Sequence, residues 1–442
     1  MVSGASGRVS RALLVVALMV SAGCKESSPP PTTPPTAPAR AARQPPAEPG
    51  TWYRARLAYD GVGELPFFLH VPPVGQNGRA YVVNGDETAD FQAEWRDNEI
   101  TITGPWAYTS MIEAQLRPGN KNLEGTWTRD TPLWGAVVRN FLAVPVPAAD
   151  PRTRFSPPGA PAGSPATAAT PINVAGIWKF EFAAHKEGKG RFEQGPDGVV
   201  RGYIKPGMLG DVRFLAGNLQ PSGGGAKLGL STFNGNAANL VLADVAADGN
   251  SMSGIMSLQN VWNERFTAKR SDDFTLANKV HLKEGKTTVT LRGFDKYKGK
   301  PTMAIIFATW CSSCNDAYPF FRQLYATYHA QGLEMFGVAY DLNDDEKINN
   351  TQLEAFRVKH QIPWEQIQVP CTPETWAQAM PPEIEGWDGL PIVLLIKPDG
   401  TVPVVFGGWL GPATGADGER LRQWLEEQIK ELVGSAGAKT KG

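Results

Sequence analysis

A chain of 442 residues is longer than one hydrophobic core usually serves, so about two to four domains are expected. Lys and Arg number 43 against 44 Asp and Glu, a balance that leaves no electrostatic footprint for nucleic acid or for an anionic membrane surface. Four cysteines, Cys24, Cys311, Cys314 and Cys371, are too few to staple a scaffold of this length, and each is read by itself.

The first 24 residues read as an export signal. Arg8 and Arg11 supply positive charge, Ala12 to Val20 is a short apolar run, and Ser21-Ala22-Gly23 brings small residues up to Cys24. The run is about half the roughly 20 residues that span a bilayer, which argues against a retained transmembrane helix. Small residues followed by cysteine resemble a bacterial lipobox, although Ser21 stands where Leu is usual. Cleavage there leaves Cys24 as a lipidated N-terminus; an ordinary secretory signal ending near a cysteine is the alternative. Lys25 occupies the position of the Asp that signals inner-membrane retention in enterobacteria. The expected location is therefore the bacterial cell envelope, facing the periplasm, held by a lipid anchor alone and on the outer membrane in preference to the inner.

Residues 25–50 are rich in Pro, Ala and Thr and read as an extended tether. A second Pro/Ala-rich stretch, 147–172, separates two regions that resemble each other, 51–146 and 173–271. Gly50-Thr51-Trp52 opens the first and Gly176-Ile177-Trp178 the second. Leu123-Glu124-Gly125-Thr126-Trp127, with Trp134 beyond, is matched by Met252-Ser253-Gly254-Ile255-Met256, with Trp262 beyond. Alternating stretches such as Thr51 to Leu57, Arg79 to Val83, Ile100 to Thr103, Trp178 to Phe182 and Glu264 to Ala268, broken by Gly-rich turns, predict two mainly antiparallel β repeats, a sandwich or a barrel. Their aromatics at alternating positions read as core, with stacking on a ligand as the competing reading. No paired carboxylates, nucleophile–base pair or metal-ligand cluster stands out in either repeat, and no metal site is expected.

From residue 272 to 434 the pattern becomes α/β. Val289 to Leu291 reads as a short strand, Met303 to Phe307 as a buried central strand and Met335 to Tyr340 as another. Pro319 to Gln331 and Thr351 to His360 have helical spacing. Ile392 to Ile396 and Val402 to Phe406 flank the turn Lys397-Pro398-Asp399-Gly400, and Glu419 to Leu432 is an amphipathic helix before a short tail, 435–442.

Trp310-Cys311-Ser312-Ser313-Cys314 sits where the Met303 strand hands over to a helix. A cysteine at a helix start meets unpaired backbone N–H groups and the positive end of the dipole, both of which favour thiolate. The second cysteine, one turn on, can reach the first. Cys311 is therefore expected as the exposed nucleophile and Cys314 as the buried resolving thiol. Half of a zinc site and a purely structural disulfide are the competing readings; zinc would need further ligands, and only Cys371 and scattered histidines remain.

Residues from about 280 to 432 resemble the TlpA/ResA group of thioredoxin-like envelope disulfide reductases. The pieces that match are Phe307-Ala308-Thr309-Trp310-Cys311-Ser312-Ser313-Cys314, then Pro319, then Gly389-Leu390-Pro391 followed by Ile392 to Ile396 and Pro398-Asp399-Gly400. The resemblance implies a thioredoxin-like C-terminal domain, with Pro391 in a cis bond beside the nucleophile. It also implies a substrate-positioning role for Trp310, Leu390 and Pro391. The implied activity is reduction of protein disulfides through the Cys311–Cys314 couple, with no cofactor beyond that disulfide. Clients such as apocytochrome c or copper-site proteins and an upstream membrane electron donor are the implied partners. The repeats resemble the extra N-terminal β region of some lipoprotein members, through Gly210 to Gly217 and Leu230 to Gly235.

Two departures from the group stand out. Ala317 occupies the place of a common glutamate three residues after the second cysteine, and Ile305 that of the buried aspartate six residues before the first. Asp316 is the candidate substitute for proton transfer, with a merely solvated side chain as the alternative. Cys371 reads as a passenger thiol or as a trap for mixed disulfides. Two rival functions are a peroxiredoxin-like thiol peroxidase, which would normally carry Thr where Ala308 stands, and a binding lipoprotein whose β repeats carry the main function.

Overall fold

The computed structural model describes residues 48–439, except 85–86, 132–134, 156–171, 185, 197, 207–212, 274–278, 344, 388 and 412–413. The export signal, Cys24, nearly all of the tether, Trp134, Gly210 to Val212 and most of the second Pro/Ala-rich stretch lie outside the described residues.

Both β repeats are closed antiparallel barrels of eight strands in sequence order. The first runs from Thr51–Tyr59 to Gly135–Val146 and closes through Trp52 opposite Val146. The second runs from Gly176–Phe182 to Trp262–Ser271 and closes through Phe182 opposite Phe266. Closure pairs every strand on both sides, so neither barrel has a free edge. The alternation visible in the sequence is inside and outside: Phe67, Trp95 and Trp127 fill the first barrel, and Trp178, Phe180 and Phe266 the second. The repeat is physical as well. Gly125 and Gly254 each lie in a seventh strand, and a Cβ on either would overlap a carbonyl of the strand before it, that of Glu113 or Leu242.

The barrels pack through the strand Gly225–Phe233. Phe233 stacks on Phe67 with ring centroids 4.2 Å apart, and Tyr59 donates its hydroxyl to the Ala238 carbonyl at 2.7 Å. The start of the second Pro/Ala-rich stretch is more than a spacer. Pro151–Thr153 form a short 3-10 helix, and the Arg154 that follows is 1% exposed. Its guanidinium donates to Ser231 Oγ at 2.9 Å, Asn84 Oδ1 at 3.0 Å and the Val83 carbonyl at 3.2 Å, joining the two barrels. Burial, and then the charge of Arg54, pull its pKa down to about 9.

The C-terminal domain is a five-stranded sheet in the order Glu365–Gln368, Glu334–Ala339, Thr302–Phe307, Ile392–Ile396, Val404–Gly407. The first three are parallel and the last two run antiparallel to their neighbours. Helices α1 (Ser312–Tyr328), α2 (Glu346–His360), a short α3 (Trp376–Ala379) and α4 (Ala416–Lys439) complete it. The continuous apolar runs of the central strands are buried along their whole length, as strands covered on both faces require. Val289 and Leu291, expected in a strand, pair with none among the described residues; both are buried against the core, so their hydrophobicity serves packing without a ladder. No helix among the described residues is long and apolar enough to cross a membrane.

Candidate active site

The strand Thr302–Phe307 ends on the edge from which α1 starts. Cys311 is the N-cap of α1, in extended conformation, and its Sγ accepts from the backbone N–H of Cys314 at 3.1 Å. A cap position leaves sulfur facing the unpaired N–H groups of the first turn, which is the environment that favours a thiolate. Cys311 and Cys314 are joined in a disulfide with their Cα atoms 5.3 Å apart. Leu390-Pro391 is a cis peptide, and the Leu390 carbonyl oxygen lies 3.7 Å from Cys311 Sγ. Trp310 packs edge-on against Trp376, which packs in turn on Trp387, with ring centroids 6.4 and 5.1 Å apart. Trp310, Cys311, Cys314, Leu390 and Pro391 thus form one cluster.

The expected burial holds at Cys314, and the expected exposure fails at Cys311. Cys311, expected to be exposed, is only 7% exposed, because protein closes around the motif from several sides; Cys314 is fully buried. Asp316 is half-buried on α1, beside Gly411. Cys371 is buried, its Sγ 3.8 Å from the Asp341 carbonyl oxygen, and burial first, then the Asp341 charge, pushes its thiol up to about 11.

The group that the sequence reading missed is Asp341. It follows the strand Glu334–Ala339 and is fully buried. One carboxylate oxygen accepts from both the backbone N–H and the hydroxyl of Thr309, each at 2.8 Å. The other has no hydrogen-bond partner among the described residues. Burial raises its pKa to about 7, against the two Thr309 hydrogen bonds that lower it. A carboxylate just past the end of a buried central strand was the available signal, since reactive groups gather at the carboxyl ends of such strands. Asn315 extends the shell: its amide donates to the carbonyls of Thr309 and Cys311 at 3.2 and 2.9 Å. Its oxygen meets Lys359 Nζ and His360 Nε2, both at 2.9 Å. Burial, and then the charges of Lys359 and Arg322, hold His360 down at about 3, so it is neutral and donates from Nε2.

Both barrels reach this site. Asn236 of the second donates its amide to Ser312 Oγ at 2.7 Å, between the two cysteines. Lys359 Nζ lies 3.6 Å over the ring of Trp106 from the first. The Tyr108 hydroxyl, from the same segment, has its pKa raised by burial and by the charge of Asp341.

Residues 268–403 match the model of the AhpC/TSA family. The C-terminal domain has a thioredoxin-like fold. Solved structures similar to it include a thiol:disulfide interchange protein of the thioredoxin family from Chlorobium tepidum, at 19% identity and TM-score 0.25, covering 36% of this chain and 99% of that one. A secreted Mycobacterium tuberculosis disulfide oxidoreductase homologous to E. coli DsbE is 17% identical with TM-score 0.23, over 33% of this chain and 96% of that one. StoA from Bacillus subtilis is 16% identical with TM-score 0.22, over 34% and 99%. No curated protein matches the chain. In the thioredoxin-like domain, the bridged pair and the cis proline are the features on which a redox reading rests.

Proposed function

We infer that this protein is a thiol-disulfide oxidoreductase of the bacterial envelope that reduces disulfides in client proteins. What supports the reading is the Cys311–Cys314 bridge at the cap of α1, with the Leu390–Pro391 cis peptide against it. In the reducing direction, the Cys311 thiolate attacks one sulfur of a client disulfide and releases the other as thiolate. Cys314, as thiolate, then attacks Cys311 Sγ in the mixed disulfide, forming the internal bridge and freeing the client's second sulfur. Two electrons pass to the client, and a dithiol donor upstream returns them. The cysteine pair is the whole redox group in this scheme, which calls for no bound cofactor.

Cys314 must shed a proton before it resolves the mixed disulfide. Asp341 suits that task better than Asp316: it is held against Thr309, two residues from Cys311, has one oxygen without a hydrogen-bond partner among the described residues, and a carboxyl near pKa 7 can take up and release a proton at neutral pH. Trp310, Leu390 and Pro391 would position the client chain. Lipidation of Cys24 would tether the protein to the outer membrane facing the periplasm, where apocytochrome c or copper-site cysteines are candidate clients. Loss of labelled fatty acid in Cys24→Ser tests the anchor. The activity is tested with Cys314→Ala, which should accumulate a mixed disulfide between Cys311 and a disulfide peptide; no adduct would count against the reading.

The match to the AhpC/TSA family keeps a thiol peroxidase as the second reading. Ala308 stands where that chemistry normally has Thr. Peroxide consumption by the reduced protein, measured beside disulfide reduction, separates the two.

A further inference from the structure

The contact between Asn236 and Ser312 belongs to a braced loop. Asn234 to Ala237 connects two strands of the second barrel and is folded on itself: Asn234 Oδ1 accepts from the backbone N–H groups of Asn236 and Ala237 at 3.0 and 2.7 Å. The first barrel then fixes it from outside. Trp106 Nε1 donates to the Asn234 carbonyl at 3.1 Å, Ser110 Oγ to the Gly235 carbonyl at 2.7 Å and Arg129 to Asn236 Oδ1 at 2.6 Å. Gly235 has φ +81°, and a Cβ there would press on Phe91 and Ser110, so the tip has room for glycine alone. With its oxygen held by Arg129, the Asn236 amide group is oriented, and its nitrogen meets Ser312 Oγ. A side chain between the reactive cysteines is therefore occupied by a loop that two barrels hold still.

The second barrel meets the thioredoxin-like domain at α4 and near Gly408 too. Asp417, in the first turn of α4, accepts from the Tyr203 hydroxyl and pairs with Arg191 at 2.9 Å, both from the second barrel. Lys205 Nζ, on the same strand as Tyr203, stands by Gly408, whose N–H donates to the Pro391 carbonyl at 2.9 Å. The Leu390–Pro391 peptide lies against Cys311, and tryptophans 310, 376 and 387, packed in a row, are half-buried.

We propose that the Asn234–Ala237 loop is a specificity element of the redox site, restricting Cys311 to disulfides carried on a narrow, extended segment and turning away those held in the surface of a folded protein. This rests on the thiol-disulfide exchange reading above and narrows its substrate class. A client chain lying along Leu390–Pro391 needs only the width of one strand, whereas a folded client must displace Asn236 from Ser312. Selection of this kind works by a clash against the wrong partner, with no added attraction for the right one. The half-buried tryptophan row that starts at Trp310, beside Cys311, favours cysteines flanked by apolar or aromatic residues.

The test uses the full chain, reduced with dithiothreitol and freed of it. Its rate of oxidation is measured with two probes, a linear peptide dimerised through one disulfide and native insulin. The wild type should prefer the peptide by about tenfold or more, and Asn236→Ala should cut that preference about fivefold by speeding the reaction with insulin. Ser312→Ala, which removes the acceptor and leaves the barrels intact, should shift the preference in the same direction. Equal rates for the two probes in the wild type, or an unchanged preference in both variants, would overturn the proposal while leaving the redox chemistry in place. A reduced protein inert to both probes would instead overturn the exchange reading, and this inference with it.

Discussion

In the thioredoxin-like domain the strands Thr302–Phe307 and Glu334–Ala339 stop at one edge of an open sheet, and the chain released beyond them carries Thr309, Cys311 and Asp341. The two barrels have no such edge. Their sheets close on themselves, their interiors are filled by Trp127, Trp178 and their neighbours, and their polar groups reach outward through loops. The contrast teaches a division of labour: the parallel strands of an open mixed sheet create a helix start where sulfur can be activated, and closed barrels supply the braced loop we propose as a wall beside it.

The largest effect should come from removing the sulfurs. Cys311→Ser should abolish disulfide exchange in a peptide-disulfide assay, while unfolding by denaturant stays cooperative in both barrels. Residual exchange in that variant would break the division by placing reactive chemistry elsewhere. The barrels' side of the comparison is probed by Arg154→Ala. It removes the buried guanidinium that donates to Asn84, Ser231 and the Val83 carbonyl at the joint between the barrels, with an expected loss of about 3–5 kcal/mol in urea unfolding. A loss under about 1 kcal/mol would mean the barrels do not depend on that joint.

Asp341 sharpens the comparison through pH. Its folded pKa of about 7 lies above the unfolded value of 3.8, so the folded state keeps a proton that the unfolded chain releases. The stability this gives is complete below about pH 4 and is lost as pH rises through about 7. Asp341→Asn cannot ionise. Its unfolding free energy relative to wild type should therefore climb by about 3 kcal/mol from pH 4 to pH 7, and a flat difference would show that Asp341 is charged throughout. Its exchange rate should also lose a titration near neutrality. The smallest effect is expected at Cys371, whose buried thiol is pushed up to about 11. Cys371→Ser should change exchange by less than about twofold, and iodoacetamide should label Cys371 at pH 8 only after unfolding.

How much of this was legible beforehand follows the range of the interactions. Cys311 and Cys314 are three residues apart, on a strand-to-helix turn that declares itself in Met303 to Phe307, so the motif could be read locally. Leu390 and Pro391 were placed by resemblance to a known group, since nothing in their own spacing brings them to the sulfurs. The barrels showed their alternation and their repeat through Trp52 with Trp178 and Gly125 with Gly254, but closure is a property of the first and last strands together and left no local mark. Asn236 and Ser312 meet across 76 positions, and Arg129 and Asn236 across 107. Contacts of that kind have no periodicity or motif to betray them, which is why the walls of the site and the burial of Cys311 emerged only in three dimensions. Asp341 went unread: adjacency to the motif points to Asp316, while the carboxylate that burial alters sits just past the end of the neighbouring strand.

The central claim is tested most directly by a redox titration of the full chain in thiol–disulfide buffers, quenched with an alkylating reagent and read by peptide mass. The account predicts that Cys311 and Cys314 become alkylated together along a two-electron curve, with a tenfold change in the reduced-to-oxidised ratio for each roughly 30 mV, and that Cys371 stays outside it. Labelling of Cys311 that is independent of potential, or that changes without Cys314, would contradict it.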